Sequence, residues 1–210
     1  MADKKFKLIY FPIKVRAECI RYLFALAGVE YEEEQINFSD WTEYKKTTLF
    51  GTLPELEVDG KTRISQTVAI FRYVAKSLGF DGKNSKERAL MDMYIDGIAS
   101  NLYQHITTHM YHNEDEENRK QLCAEFVDNH MRKVLKIYES AIAESSSGWF
   151  VGKERSYADI YIAEFLKKID DTFAPDLLKD EFPKLREFCD KFHEDEAIKN
   201  YLENRPAYPF

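Results

Sequence analysis

The strand and helix signals of this sequence change abruptly near residue 80, and this change constrains the fold more than any other feature. Up to that point, β-rich runs alternate with helical segments in the order β-α-β and then β-β-α. The first half of this order implies a parallel strand pair with a right-handed crossover, and the second half implies an antiparallel hairpin. Beyond a glycine-containing linker only helical periodicity remains. We therefore predict an α/β plus all-α chain, with an α/β domain over 1–80, a linker over 81–85 and an all-helical domain over 86–210.

Turn residues and helix ends locate the predicted elements. Gly28 is expected to end the first helix, and Asp59-Gly60 is a strong hairpin signal. The strands are predicted over 6–11, 31–37, 53–58 and 62–65. The helices are predicted over 16–27, from Val68 to Leu78, and over 86–112, 118–144, 157–170, 183–192 and 196–204.

The composition excludes several classes of protein. A chain of 210 residues can bury a core without disulfides or metal, and its three cysteines are too far apart to indicate a disulfide framework or a zinc motif. There are 37 acidic against 30 basic residues, which argues against a nucleic-acid partner. The sequence has no signal-peptide core and no apolar run that could span a bilayer. We therefore expect a cytoplasmic protein with no membrane partner.

A series of short motifs in fixed order says more than the composition. The series covers essentially the whole chain and resembles cytosolic glutathione transferases. Within that family it is similar to the sigma-like class of invertebrate enzymes and haematopoietic prostaglandin D synthase. The motifs are KLIYF at 7–11, RAE at 16–18, DWxxxK at 40–45, FGxLPxL at 50–56, VDG at 58–60, QTxAIxRY at 66–73, WFVG at 149–152, SYAD at 156–159 and RP at 205–206.

The resemblance implies both a fold and an activity. The expected fold is a thioredoxin-like N-terminal domain followed by an all-helical C-terminal domain, in a homodimer. The expected enzyme is a glutathione S-transferase that uses glutathione as co-substrate, requires no metal and conjugates the thiol to hydrophobic electrophiles, as in detoxification. A glutathione-dependent prostaglandin isomerase or peroxidase is an alternative, because such an enzyme would differ only in its second-substrate pocket. A non-catalytic ligand-binding or crystallin-like protein is a second alternative.

Tyr10 is the predicted catalytic residue. It lies at the C-terminal end of the first strand, where α/β sheets bind ligands. The resemblance implies that its hydroxyl donates a hydrogen bond to the glutathione sulfur. From position alone, Tyr10 could equally be a buried strand aromatic, and Thr67 could be a plain helix N-cap. The residues that the resemblance assigns to glutathione binding are Tyr10, Arg16, Trp41, Lys45, Leu53, Pro54, Gln66 and Thr67, with Leu53-Pro54 as a cis peptide bond.

A second-substrate pocket is expected between the two domains. Three histidines, His105, His109 and His112, share one predicted helix face, but we interpret them as a solvated helix end and predict no metal site. The residues predicted to line the pocket are Phe11, Lys14, Tyr103, Ile106, Thr107, Tyr161, Phe165 and Phe210.

Four positions depart from the family pattern. Val15 replaces a glycine where the backbone approaches the sulfur, and Thr52 stands where lysine or glutamine is frequent. Ala99 and Ser100 stand where the family usually brings an aspartate to the partner subunit's glutathione. These departures predict weaker glutathione binding, with the tyrosine retained.

Overall fold

A computed structural model describes residues 4–103 and 115–208 of the chain. The chain divides into two compact units. One unit comprises Met1–Phe80 together with Asp195–Phe210, and the other comprises Asp81–Glu194. The division into domains over 1–80 and 86–210 with a linker over 81–85 stays a prediction.

The first unit contains a four-stranded sheet with the strand order β2-β1-β3-β4. Its strands are β1 (Phe6–Tyr10), β2 (Glu32–Gln35), β3 (Glu55–Val58) and β4 (Thr62–Ser65). β1 pairs with β2 in parallel, while β3 pairs antiparallel with both β1 and β4. The predicted parallel pair and antiparallel hairpin are therefore confirmed.

Each helix predicted from the sequence has a counterpart in the described part of the chain, with some differences in its bounds. The described α-helices are α1 (Glu18–Ala27), α2 (Trp41–Tyr44), α3 (Thr67–Ser77), α4 (Ser85–Ala99), α5 (Glu116–Phe126), α6 (Arg132–Glu144), α7 (Tyr157–Lys168), α8 (Leu177–Glu181), α9 (Pro183–His193) and α10 (Glu196–Asn204).

Local chemistry explains where the elements of the first unit end. Gly28 adopts φ 60° and its N–H bonds the carbonyl of Ala25, so α1 ends in the left-handed cap predicted for glycine. Asp59 and Gly60 both have positive φ, 55° and 66°, as a tight hairpin turn requires. β3 begins only at Glu55 because the preceding proline has no N–H to donate to a neighbouring strand.

The core of the first unit lies between the sheet and its helices. α1 packs against both α3 and α10, and α3 packs against β3 and β4. Leu8, Leu56 and Phe71 are fully buried between these elements. The end of the chain therefore helps to cover the helix that follows the first strand.

The second unit has helices and no strand among its described residues, as predicted for the all-helical part. α7 is buried along most of its length and packs against α4 and α9. Its first turn is held by a capping box, in which Asp159 accepts hydrogen bonds from the Ser156 N–H at 2.8 Å and from the Ser156 hydroxyl at 2.7 Å. Asp159 also accepts from the Phe150 N–H at 2.8 Å, which ties the preceding loop to the helix.

Some helix bounds differ from the prediction. The segment predicted as one helix over 118–144 starts at Glu116, capped by Asp115, and contains a π-helical turn at Val127–Met131. The helix predicted over 86–112 is α4 over Ser85–Ala99, and residues 104–112 of that prediction lie outside the described residues. The short α8 has no counterpart in the prediction, because five residues give too little periodicity to detect.

Candidate active site

The sheet register brings three predicted site segments to one end of the sheet. Ile9 pairs with Glu55, and Glu55 pairs with Ser65. The end of β1, the start of β3 and the end of β4 therefore lie side by side. Tyr10, Leu53-Pro54 and Gln66-Thr67 immediately adjoin these strand ends. The topology thus brings together three segments, distant in the sequence, that the resemblance assigns to glutathione binding.

Tyr10 is held firmly at this end of the sheet. Its side chain is 3% exposed, and its hydroxyl oxygen accepts a hydrogen bond of 3.2 Å from the backbone N–H of Arg16. The guanidinium carbon of Arg21 lies 5.9 Å from the centroid of the Tyr10 ring. Arg21 also donates to the carbonyl of Ile13 at 2.9 Å, so it braces the turn that carries the Arg16 N–H. The tyrosine hydroxyl therefore has a fixed position.

The turn after Tyr10 contains an unusual backbone conformation. Val15 has φ 26°, which is uncommon for a β-branched residue, and its side chain is 4% exposed. This is the position where the sequence analysis noted valine in place of glycine. α1 begins at Glu18 and not at Arg16 as predicted, since the chain is still in this turn at Val15.

Trp41 lies beside the turn that follows Tyr10. The ring of Phe11 contacts Trp41 edge-on, with centroids 5.0 Å apart, and stacks on Phe38 at 4.9 Å. Phe38 is 59% exposed, which no sequence pattern indicated. Lys45 follows α2 and its stem passes across Gly51: a β-carbon at Gly51 would lie 3.2 Å from Cε of Lys45. Trp41 and Lys45 thus lie on a short helical segment.

Two backbone features flank the strand ends. The Leu53–Pro54 peptide bond is cis, as the resemblance implied. Gln66 has φ 77° and is the N-cap of α3, and Thr67 is the first helical residue. The alternative in which Thr67 is the N-cap is therefore wrong. The first N–H groups of α3 lie at the same end of the sheet as Tyr10. A helix N-terminus at this place favours the binding of an anion.

One charged pair near this site, in which the acid is fully buried, was not anticipated. Glu55 alternates with Leu56 along β3, a pattern that normally indicates a solvent-facing side chain, yet its side chain is 0% exposed. It forms an ion pair of 3.1 Å with Arg63 of β4. The two residues are diagonal across the β3–β4 ladder, so only the pairing register could reveal their contact.

The residues predicted for the second-substrate pocket have varied positions. Phe11 and Lys14 are partly exposed in the first unit. In the second unit Tyr103, Tyr161 and Phe165 are each at most 5% exposed, and Tyr103 accepts a hydrogen bond of 2.5 Å from Lys168. Their assignment to a substrate pocket stays a prediction. Ile106, Thr107 and Phe210 lie outside the described residues, as do the three histidines.

The other departures from the family pattern lie on the surface or at a helix end. Thr52 and Ser100 are exposed, and Ala99 is the last residue of α4. Within residues 4–103 and 115–208, no three His, Cys, Asp or Glu side chains are grouped to hold a metal ion. None of the helices described has both the length and the apolar character that a membrane span needs.

The fold and the site together define a class of protein. A small mixed sheet with flanking helices, joined to a helical unit and carrying Tyr10 at the sheet edge, is the arrangement expected of a thioredoxin-like domain followed by a helical domain. Residues 5–76 match the model of the glutathione S-transferase N-terminal domain, and residues 100–205 match that of the C-terminal domain. The chain belongs to the glutathione S-transferase family, and the predicted enzyme class is confirmed.

Individual relatives agree with this assignment. The chain is 35% identical to probable glutathione S-transferase 6 of Caenorhabditis elegans, over 98% of each chain. It is also 32% identical to hematopoietic prostaglandin D synthase of Gallus gallus, over 96% of each chain.

Solved structures of the family are close in fold. The sigma-class glutathione S-transferase of Fasciola hepatica superposes with a TM-score of 0.87 at 27% identity, over 99% of this chain and 100% of the other. A monomeric glutathione S-transferase of Necator americanus superposes with a TM-score of 0.85 at 33% identity, over 98% of this chain and 100% of the other. The predicted fold class is therefore confirmed.

Proposed function

We propose that this chain conjugates the thiol of glutathione to electrophilic small molecules, and that the Tyr10 hydroxyl activates the thiol. The observation that supports this most directly is the hydrogen bond from the Arg16 N–H to the Tyr10 hydroxyl oxygen, 3.2 Å long, at the sheet edge. A hydroxyl that accepts one hydrogen bond becomes a stronger donor of its own proton. A sulfur atom brought to this edge would meet a donor whose position is already fixed.

The energy required is within reach of one hydrogen bond. A free thiol has a pKa near 8.5, so only a few per cent is thiolate at neutral pH. Lowering that pKa by about two units requires about 2.7 kcal/mol of preferential thiolate stabilisation. A hydrogen bond to a charged acceptor contributes about 1.5–3 kcal/mol. Tyr10 could therefore supply most of the activation, and the thiolate then attacks the electrophile directly.

The remaining glutathione contacts follow from the chemistry of the tripeptide. The backbone N–H and C=O of Leu53, which precedes Pro54, suit the cysteinyl residue as an added strand would. The N-terminus of α3 at Gln66 and Thr67 suits the γ-glutamyl carboxylate. Trp41 and Lys45 provide an indole N–H and an ammonium for the glycyl carboxylate. Arg16 would lie near the thiolate, since its N–H already contacts Tyr10.

A second activity deserves a separate test. The 32% identity to a hematopoietic prostaglandin D synthase, over nearly the whole chain, favours a glutathione-dependent isomerase as the alternative. Isomerisation needs the same thiolate but returns glutathione unchanged, whereas conjugation consumes it. Measuring whether glutathione is consumed with a given electrophile or endoperoxide therefore separates the two activities.

The assembly and setting of the enzyme are also part of the proposal. We propose a sigma-like, cytoplasmic enzyme of detoxification that forms a homodimer, as is typical of the family. The monomeric relative from Necator americanus makes the oligomeric state a real question for this chain. Sedimentation equilibrium would decide it: a mass near twice 24.7 kDa supports the homodimer, and a mass near 24.7 kDa contradicts it.

The catalytic proposal is tested by conjugation kinetics with a chloronitrobenzene electrophile. Tyr10→Phe should lower kcat/KM about 10- to 100-fold, because it removes one hydrogen bond to a charged sulfur. Tyr73→Phe is the matched control, since Tyr73 lies on α3 and its hydroxyl accepts from Lys4 at 3.2 Å. Equal activity of the Tyr10 variant and the control would contradict the role of Tyr10. No turnover by the wild type would favour the non-catalytic alternative.

A further inference from the structure

The ion pair of buried Glu55 with partly exposed Arg63 attaches residues 41–49, the segment that carries Trp41 and Lys45, to the sheet. Oε1 of Glu55 accepts a hydrogen bond of 2.6 Å from the Leu49 N–H, and Nη1 of Arg63 donates to the Thr47 carbonyl at 3.1 Å. The two side chains meet in an ion pair of 3.1 Å between Oε2 and Nη2. One acid and one base from two adjacent strands thus fix two backbone groups of the same segment.

Hydrogen bonds within the segment connect Thr47, which Arg63 contacts, to Lys45 and its neighbours. The Thr47 hydroxyl donates to the Tyr44 carbonyl at 2.8 Å, and the Thr48 hydroxyl donates to the Lys45 carbonyl at 2.8 Å. A 3-10 turn spans Lys45–Thr47. The position of Thr47 therefore largely determines where the Lys45 backbone lies. The opposite end is held as well, since the Tyr44 hydroxyl donates to Glu34 of β2 at 3.3 Å.

An apolar side chain at position 55 could fill the same buried site without the free-energy cost of burying a charge. Burying a carboxylate is unfavourable unless it is paired and hydrogen-bonded, so the arrangement is expected where it fixes a geometry. The segment itself has an exposed surface: the side chains of Glu43 and Lys46 are 78% and 66% exposed. A segment with little core of its own needs such polar attachments to keep one conformation.

We propose that Glu55 and Arg63 are positioning residues that hold Trp41 and Lys45 in place for the glycyl carboxylate of glutathione. This inference rests on the proposed function, and it adds the residues that set affinity at the glycyl end. If loss of the pair leaves the segment in its binding conformation only 10–20% of the time, apparent affinity falls about 5- to 10-fold. Tyr10, the proposed thiol activator, lies on β1 and outside the segment that the pair holds, so kcat should be preserved.

The test compares two ligands, glutathione and γ-glutamylcysteine, which lacks the glycyl residue. Calorimetric titration is performed on the full chain as wild type, Arg63→Met, Glu55→Gln and the control Glu43→Gln. Glu43 forms an ion pair of 2.7 Å with Lys46, and both of these residues belong to the segment itself rather than to the sheet. We expect the Kd for glutathione to rise about 5- to 10-fold in Arg63→Met and Glu55→Gln, and less than 2-fold in the control.

The ligand comparison separates positioning from general loosening. The Kd for γ-glutamylcysteine should change less than 2-fold in every variant, and KM for glutathione should rise while kcat stays within 2-fold. Arg63→Lys, which keeps the charge but has a single donor group, should restore part of the affinity. Equal loss for both ligands, a fall in kcat with KM unchanged, or unchanged affinity for glutathione in a folded Arg63→Met would each overturn the inference. If Glu55→Gln does not fold, Arg63→Met decides, because its side chain is 28% exposed.

Failure of the proposed function gives a different pattern. A wild type that binds glutathione no more tightly than γ-glutamylcysteine contradicts the assignment of Trp41 and Lys45, and with it this inference. A wild type that binds glutathione more tightly, with variants that do not reduce that preference, contradicts only the role of Glu55 and Arg63.

Discussion

Glu18 and Arg21 lie one turn apart on α1, both side chains are at most 3% exposed, and Oε2 of Glu18 is 3.0 Å from Nη1 of Arg21. Each residue has a second charged partner: Arg21 pairs with Glu33 at 2.6 Å, and Glu18 pairs with Arg205 near the end of the chain. The Tyr201 hydroxyl also donates to Glu18, at 3.1 Å. Two acids and two bases thus join the end of the chain to α1. Burial opposes the charge of Arg21, but these acids more than offset it and raise its pKa.

Glu18→Gln should lower the free energy of unfolding by about 3–5 kcal/mol, because it leaves buried Arg21 with half its compensating charge and weakens the pairing of Arg205. Urea denaturation measures the change. The control is Glu43→Gln, whose partner Lys46 is exposed and whose loss should cost less than about 1 kcal/mol. If Glu18→Gln and the control are equally stable, the charged cluster contributes nothing to the attachment of the end of the chain.

Val15 offers a test of backbone strain beside the site. Both Val15→Ala and Val15→Gly remove the buried side chain, but only glycine accepts φ 26° without strain. An L-residue in a sparsely populated region costs of order 1–3 kcal/mol, against about 0.5–1 kcal/mol for the extra flexibility of glycine in the unfolded chain. The glycine variant should therefore be at least as stable as the alanine variant in urea denaturation.

The matched control for Val15 is Ala17→Gly. Ala17 has φ −89° and is fully buried, so glycine there should cost about 0.5–1 kcal/mol, the usual direction. If Val15→Gly were less stable than Val15→Ala by that same amount, the backbone at Val15 would not be strained.

His193 gives the second unit a predictable dependence on pH. Its Nδ1–H donates to the Cys189 carbonyl at 2.7 Å, and burial lowers the pKa of the imidazole below the usual 6.5. Between that lower pKa and 6.5 the unfolded chain binds a proton that the folded chain does not. Stability should therefore fall as the pH drops below about 6.5, by up to about 1.4 kcal/mol per pH unit from this residue, and this loss is absent above it.

The measurement for His193 is urea denaturation of the wild type and His193→Gln at several values between pH 7 and pH 5. The variant has no imidazole to protonate, so the difference in stability between the two proteins should shift in favour of the variant as the pH falls. A difference that is constant over this range would contradict a lowered pKa for His193.

Much of the architecture was predictable because its signals are local. Gly28 and the Asp59-Gly60 turn each act within a few residues, and the structure has both as predicted. The Ser156–Asp159 capping box is a local signal of the same kind. The cis bond at Leu53–Pro54 was expected only because the motif series resembled a known family. Geometry alone would have favoured the trans form.

The features that escaped prediction depend on contacts between distant segments. The alternation pattern of β3 predicts that Glu55 is a surface residue. Its contacts depend instead on the β3–β4 register, which brings Arg63 to it, and on the fold of residues 45–51, which brings Leu49 to Glu55 and Thr47 to Arg63. Likewise Arg205 follows a helix whose packing on α1 has no signature in periodicity. Charged residues in such places are costly when unpaired, so their partners can be identified only once the topology is known.

The central claim is that the Tyr10 hydroxyl lowers the pKa of the glutathione thiol. The most direct measurement is the ultraviolet absorbance of the thiolate in the glutathione complex, titrated with pH for the wild type and Tyr10→Phe. We predict that the bound thiol of the wild type has a pKa about two units below the free value near 8.5, and that it returns toward that value in the variant. A thiol pKa that is unshifted in the wild type, or lowered equally in both proteins, would contradict the account.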